Sequence, residues 1–155
     1  MKPQTNTNKH ELKIKEGKVN MNLLYKEESY KIKQACIEVK NNLGTGFLEK
    51  VYENALKYEL EINGFIVKQQ CKINVFYKNK NVGEYIPDLI INDCIIIELK
   101  AVNQMDNIMK AQLINYLKAT GYKLGFLINF SNKYNSFEFE RIIYDKVNKK
   151  KVSVS

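Results

Sequence analysis

Residues 87–100 read Pro-Asp-Leu-Ile-Ile-Asn-Asp-Cys-Ile-Ile-Ile-Glu-Leu-Lys, and this stretch decides the fold that we expect. Two runs rich in Ile and Leu flank an Asn-Asp pair that favours a turn, so the pattern predicts a hairpin of two largely buried strands. Asp88, Glu98 and Lys100 lie on or beside these apolar runs. Because burying a lone ionised group is costly unless it is paired or bound to a metal, we expect the three side chains to share one site.

The length of the turn decides whether the two acids face each other. Side chains alternate between the faces of a strand, so Glu98 and Lys100 point to the same face. A two-residue turn would place Asp88 opposite Ile97, whereas a three-residue turn that includes Cys94, or a bulge, would place Asp88 directly across from Glu98. We predict the second register. Two carboxylates about 5 Å apart would repel each other unless a divalent cation lay between them, and hard oxygen ligands favour magnesium or manganese.

The composition bounds the class of protein. At 155 residues the chain is long enough for one domain with a real core. No stretch approaches the ~18 apolar residues of a membrane span, and the N-terminus lacks the apolar core of a secretion signal, so we expect a cytoplasmic protein without a membrane partner. Cys36, Cys71 and Cys94 lie in apolar segments, which indicates reduced core thiols. The only histidine, His10, precedes the predicted domain, which excludes a Ser-His-Asp triad or a His-ligated zinc centre within it.

The formal net charge of +8 is concentrated at the two ends of the chain. Residues 1–22 carry +3, residues 146–155 carry +4, and the remainder carries only +1. Basic ends suit non-specific attraction to phosphates but are equally common as solubilising segments, so the net charge indicates no function. We predict a disordered or loosely attached basic extension over residues 1–22, one domain over 23–145, and a Lys-rich tail over 146–155.

Apolar periodicity predicts a mixed α/β layer in which helices pack against a sheet whose early strands form hairpins. Pro87 interrupts the second strand of the predicted meander, and because proline cannot donate a ladder hydrogen bond, we expect an edge or a bulge beside Asp88. The predicted elements are helices over 27–43, 46–62 and 106–120, a short strand or loop near 65–68, strands over 73–77, 82–91 and 95–101 forming a three-stranded meander, a strand over 124–130, and a final edge strand over 137–144.

Two of the predicted helices carry further candidates for the site. Gly46, Glu49 and Tyr52 stand three apart, so Glu49 lies between a glycine that permits close approach and an aromatic ring. Glu49 is then either a third carboxylate of the site or a solvent-facing glutamate on an amphipathic helix. Gln112 and Tyr116 are four apart on one face of the later helix, and are either site residues or a boundary polar residue beside a core ring.

Pro87, Asp88, Glu98, Leu99 and Lys100 resemble the signature of the PD-(D/E)XK nuclease superfamily, whose restriction-endonuclease-like core has the order α-β-β-β-α-β. More narrowly, residues 25–144 resemble the GxxExxY family. Pro87 departs from that family, in which many relatives carry a small residue, and both ends of the chain lie outside the likeness. The matching stretches are 43–49, Gly46 with Glu49 and Tyr52, 83–85, 98–101, Gln112 with Tyr116, and 117–121.

The resemblance implies a metal-dependent nuclease. Asp88 and Glu98 would bind one or two magnesium (or manganese) ions, and Glu49 would complete the metal shell directly or through water. Lys100, on the same strand face as Glu98, would orient the attacking water or stabilise the charge that develops on the phosphate. All four residues are therefore expected to be catalytic.

The resemblance also implies supporting residues and a partner. Gln112 and Tyr116 would bind a phosphate oxygen or hold Lys100 in place, and Tyr52 would support the site. The expected partner is a nucleic acid, with DNA favoured and RNA left open, and a homodimer is left open as well. Two alternatives stay open as well: a non-catalytic nucleic-acid-binding module on the same fold, and a protein-interaction module whose acids are merely ion-paired.

Overall fold

The computed structural model describes residues 25–131, 133 and 137–145, together with the backbone of 151–154. The predicted extension over 1–22 and most of the predicted tail over 146–155 lie outside these residues, so the domain limits stay predictions. The helices are α1 (Lys26–Leu43), α2 (Glu49–Ile62) and α3 (Asn107–Thr120). The strands are β1 (Val67–Gln69), β2 (Ile73–Tyr77), β3 (Lys80–Tyr85), β4 (Leu89–Ile91), β5 (Ile95–Lys100), β6 (Leu124–Asn129), β7 (Glu138–Tyr144) and β8 (Lys151–Val154).

Six strands form one mixed sheet in the order β1-β4-β5-β6-β7-β8. Strands β5 and β6 are parallel, and every other neighbouring pair in this sheet is antiparallel. A parallel pair needs a long crossover connection, which α3 supplies between β5 and β6. The predicted mixed α/β fold is confirmed, and it is consistent with a restriction-endonuclease-like core.

The alternating side chains of β5 divide the core between the two faces of the sheet. Ile95, Ile97 and Leu99 join the buried cluster that contains residues of α1 and α2. Ile96 joins the second cluster, which contains residues of α3. Glu98 is two residues after Ile96, so its side chain points to the same face of the sheet, the face that α3 covers. Burial of both faces explains why β5 reads as a nearly continuous apolar run.

The predicted three-stranded meander is wrong, because β2 and β3 form a separate two-stranded sheet. The strand predicted over 82–91 is two strands: β3 ends at Tyr85, and β4 begins at Leu89 and pairs with β1 and β5. Pro87 lies in the break and is buried. Because proline has no N–H to offer a ladder, the chain can leave one sheet here and join the other.

The starts of two helices and the place of one strand in the sheet also differ from the predictions. Helix α2 begins at Glu49, three residues later than expected, because Gly44 and Gly46 have φ of +70° and +102°, outside the helical region. Strand β7 was expected at the edge of the sheet, but the backbone of β8 pairs with it. Helix α3 begins after Asp106, whose Oδ1 accepts a hydrogen bond from the Met109 N–H at 2.9 Å.

The described residues also bear on the thiols and on membrane insertion. Cys36 is buried, Cys71 and Cys94 are half-buried, and all three are free thiols. Within residues that the structure describes, no helix is both long enough and apolar enough to cross a membrane.

Candidate active site

The hairpin of β4 and β5 has the predicted register. Leu89 pairs with Ile97 and Ile91 pairs with Ile95, so the loop between the strands has three residues. Asn92 and Asp93 have φ of +50° and +53°, and asparagine and aspartate are among the residues that tolerate this left-handed conformation. Continued by one pair, this register places Asp88 across from Glu98, as the sequence predicts.

Direct hydrogen bonds connect the two acids across the hairpin. The Asp88 N–H donates to Glu98 Oε1 at 3.0 Å, and the Leu99 N–H donates to Asp88 Oδ2 at 2.8 Å. Both bonds involve Asp88, which directly precedes the first residue of β4 and follows Pro87. Beside the irregularity that Pro87 predicts, each acid thus accepts a backbone N–H from the opposite strand, Glu98 from Asp88 and Asp88 from Leu99.

Tyr52 shapes the loop that precedes α2 and so sets the position of Glu49, the first residue of that helix. Its hydroxyl donates to the Gly44 carbonyl oxygen at 2.7 Å and accepts the Phe47 N–H at 3.3 Å. Its ring is fully buried and stacks on the ring of Phe130, with 4.7 Å between the centroids. Tyr52 thus anchors the loop through its hydroxyl, and the supporting role that the resemblance implies stays a prediction.

The relation of Gly46 to Glu49 differs from the expectation. Gly46 lies before the helix rather than on it, and a Cβ added there would have no heavy atom within 4 Å. The glycine is therefore required by its positive φ and not by close packing against a neighbour. Glu49 itself is half-buried, and the charge of Lys100 lowers its pKa while burial raises it, with burial dominating. Glu49 is thus partly exposed, and its place at the site stays a prediction.

Glu53 is a fourth carboxylate at the site, which the sequence reasoning missed. The residue is only 2% exposed, and its carboxylate accepts hydrogen bonds from Lys50 Nζ at 2.7 Å and Gln70 Nε2 at 2.9 Å. Gln69 Nε2 donates to it as well. Gln70 Nε2 also donates to Asp88 Oδ1 at 3.2 Å, so this one amide connects the carboxylates of Glu53 and Asp88.

A signal for Glu53 was present in the sequence. Glu53, Leu56 and Leu60 follow the spacing of a buried helical stripe, and the two leucines are completely buried. Glu53 also stands four residues after Glu49 and therefore on the same helical face. Gln69 and Gln70, by contrast, lie at the end of a three-residue strand and have no local pattern that marks them.

Gln112 and Tyr116 lie together on α3, as predicted. Gln112 Nε2 donates to the Tyr116 hydroxyl at 3.0 Å, and the Tyr116 ring meets the ring of Tyr85 edge-on at 4.7 Å. Burial, followed by the negative charges of Glu98 and Asp88, raises the pKa of Tyr116 to about 12. The phenol therefore lies near the acid pair, and its O–H stays protonated at neutral pH.

The pKa values of the site carboxyls show that these groups are buried and close enough to affect one another. Burial, and then the charges of Glu53 and Glu49, raise the pKa of Asp88 to about 6, although the Leu99 N–H opposes the rise. Burial and the neighbouring Asp88 raise the pKa of Glu98 to about 8. Burial also acts on Glu53, but hydrogen bonds from Lys50, Gln69 and Asp88 outweigh it and lower that pKa. Without a cation, the site therefore holds protons at near-neutral pH.

The oxygen donors at this site are of the chemical type that a hard divalent cation prefers. Four carboxyls, from Glu49, Glu53, Asp88 and Glu98, influence one another's pKa, and oxygen ligands with shared negative charge are what magnesium and manganese prefer. Throughout the described part of the chain, no group of three or more His, Cys, Asp or Glu side chains is already arranged to hold a metal ion. Hydrogen bonds from Gln70 and the Leu99 N–H occupy both Asp88 oxygens in this arrangement.

A family comparison gives the superfamily of the chain. The sequence model of the PD-(D/E)XK nuclease superfamily matches residues 26–142, from the start of α1 into β7. The chain therefore belongs to the PD-(D/E)XK nuclease superfamily, whose members are typically hydrolytic nucleases that use magnesium or manganese. Comparison with the curated proteins and with the solved structures found no match.

Proposed function

We propose that this protein is a metal-dependent nuclease that hydrolyses a phosphodiester bond of a nucleic acid, with DNA favoured over RNA. One observation carries the proposal: the Asp88 N–H donates to Glu98 Oε1 and the Leu99 N–H donates to Asp88 Oδ2, which holds the two acids together in a chain of a nuclease superfamily. Acids with the strongly raised pKa values of this pair are typical of functional sites. The narrower likeness to the GxxExxY family, carried by Gly46, Glu49 and Tyr52, is part of this proposal.

Asp88 and Glu98 would hold the metal, and Glu49 would complete the shell directly or through a water. A bound magnesium or manganese ion would supply a water of lowered pKa and neutralise charge on the scissile phosphate. Gln70 would turn the Asp88 carboxyl toward the metal, since it contacts both Asp88 and Glu53. Glu53, fixed by its own hydrogen bonds, would keep Gln70 in place.

Lys100 and Tyr116 would supply positive charge and a proton donor. Lys100 follows Glu98 on the same strand face. Burial raises the pKa of both Glu49 and Glu98, and the charge of Lys100 opposes that rise. From there the ammonium would orient the attacking water or stabilise charge on the phosphate. Tyr116 receives a hydrogen bond from Gln112, which leaves its own proton available for a phosphate oxygen.

The test is cleavage of single- and double-stranded DNA and RNA with magnesium or manganese. The full chain is compared with Asp88→Asn, with Lys100→Ala, and with the control Asp93→Asn, an exposed acid that pairs with Lys68 on the hairpin turn. We expect the first two variants to lose about 100-fold or more of the rate, because each loses a group that acts in the transition state. Asp93→Asn should retain the activity. Equal cleavage by all four proteins would contradict the proposal.

A second candidate is a non-catalytic nucleic-acid-binding module. The observation that favours it is the engagement of both Asp88 oxygens within the chain. Such a module would bind nucleic acid without cutting it, and Asp88→Asn would leave that binding unchanged. A nuclease instead predicts metal-dependent cleavage that this substitution abolishes.

A further inference from the structure

The hairpin of β2 and β3 exposes apolar side chains that the proposed mechanism does not use. Its outer half carries Phe76, Tyr77 and Val82, which are 63%, 63% and 57% exposed. Lys78 and Asn79 form the tight turn, with φ of +47° and +64°. Single exposed apolar residues are ordinary on a protein surface, but several on one small projecting element indicate an interaction site.

The base of the hairpin is fixed beside the candidate active site. Ile73 and Tyr85, which pair with each other at the inner end, pack on the buried cluster that contains α3. The Tyr85 ring contacts the ring of Tyr116, and the chain runs from Tyr85 to Asp88 in three residues. The tip lies about 17 Å along β3 from Tyr85, at about 3.3 Å per residue. A nucleic-acid strand bound at Asp88 and Glu98 could therefore extend along the β2–β3 hairpin.

The positive charge of the β2–β3 hairpin indicates a negatively charged partner. Residues 72–86 contain three lysines and one acid, Glu84. Glu84 lies 3.8 Å from Lys72 at the inner end, so the hairpin contains no acid to balance Lys78 and Lys80 at the tip. Lys78 Nζ lies 5.5 Å from the centre of the Tyr77 ring. Exposed aromatic rings combined with lysines are the features with which proteins bind single-stranded nucleic acid.

We propose that the β2–β3 hairpin is a binding arm for unpaired nucleotides next to the scissile phosphate, with Phe76 and Tyr77 stacking on bases and Lys78 and Lys80 contacting phosphates. The inference rests on the proposed nuclease function and adds the substrate class, a single strand or a single-stranded end. Bases inside an intact duplex are already stacked on each other, so the rings of the tip gain most from unpaired bases. DNA and RNA share this chemistry.

The test measures binding of labelled single-stranded and blunt duplex oligonucleotides, in DNA and RNA forms, by fluorescence anisotropy. The full chain carries Asp88→Asn so that the substrate is not cut. Phe76→Ala and Tyr77→Ala should each weaken single-strand binding about fivefold or more, with much smaller effects on the blunt duplex. Tyr58→Ala on α2 is the matched control, since Tyr58 is 68% exposed and lies outside the hairpin. It should have no effect.

The lysines give a second readout that does not depend on stacking. Lys78→Ala and Lys80→Ala should each reduce the slope of log affinity against log salt by about 0.7 for single strands, whereas Lys31→Ala on α1 should not. Unchanged single-strand affinity in both aromatic variants would overturn the proposal, and so would equal losses on blunt duplex. The nuclease proposal is tested separately by metal-dependent cleavage, which these binding measurements do not use.

Discussion

Asp88 receives hydrogen bonds from two parts of the chain, and Glu53 stabilises one of them. The Leu99 N–H donates to Oδ2 and Gln70 donates to Oδ1, while the same Gln70 amide donates to Glu53. Glu53 also raises the pKa of Asp88, through its charge and through a hydrogen bond between the two carboxyls. Glu53 is therefore a positioning residue that holds the Asp88 side chain and affects its protonation.

Replacing Glu53 should change the titration of Asp88. In Glu53→Gln the carboxylate charge is lost, so we expect the pKa of Asp88 to fall from about 6, while burial keeps it above its ordinary value. The measurement is an NMR titration of the metal-free chain that follows the Asp88 carboxyl. Glu61→Gln, an exposed site on the same helix, is the control and should leave Asp88 unchanged. An Asp88 pKa that does not move in Glu53→Gln would show that the two carboxyls are not coupled.

Individual site residues differed in how far the sequence could predict them. Asp88, Glu98 and Lys100 were predictable because charges in apolar strand runs need partners, and strand alternation gives their face. Glu53 was missed because a glutamate on an amphipathic helix is usually at the surface. Glu53 is buried because α2 packs against β1, whose end carries Gln69 and Gln70. Those two glutamines lie far from Glu53 in sequence.

At the scale of elements, the loop between α1 and α2 positions Glu49 through a left-handed glycine. Gly46→Ala should destabilise the fold by about 1–2 kcal/mol, because an alanine Cβ is strained at a φ of +102°. Urea denaturation would measure the loss. Gly83→Ala is the matched control, since no heavy atom lies within 4 Å of its built Cβ and its φ is not in the left-handed region. Equal stability of the two variants would show that the backbone conformation at position 46 does not require glycine.

The elements themselves were largely predictable, but the membership of strands in sheets was not. The three helices and the three-residue hairpin loop follow from periodicity and turn chemistry. The apolar pattern on the two sides of Pro87 is the same whether the chain continues one strand or changes sheets. Which neighbour a strand pairs with depends on contacts between distant segments, as with β1 beside β4.

For the whole molecule, the raised pKa values predict that stability depends on pH. The folded metal-free chain holds protons on Asp88 and Glu98 up to about pH 6 and 8, whereas the unfolded chain releases them near pH 4. The folded state thus binds more protons in between, and its stability should fall as pH rises from 5 to 8.5, by about 2 kcal/mol after discounting for solvent.

Urea denaturation in EDTA across that pH range would measure this loss. The double variant Asp88→Asn, Glu98→Gln carries no titrating group at these positions, so its stability should change much less with pH. A stability that rises with pH in the unmodified chain, or an equal slope in the double variant, would contradict the assignment of the effect to this acid pair.

The carboxyl site is tested most directly by titrating manganese into the metal-free chain in a calorimeter at pH 7. We expect binding with release of protons, because Glu98, whose pKa is about 8, must ionise to become a ligand. Asp88→Asn and Glu98→Gln should each weaken the affinity about tenfold or more, while Asp93→Asn should bind as the unmodified chain does. An absence of binding, or undiminished affinity in both site variants, would contradict the metal site on which the nuclease proposal depends.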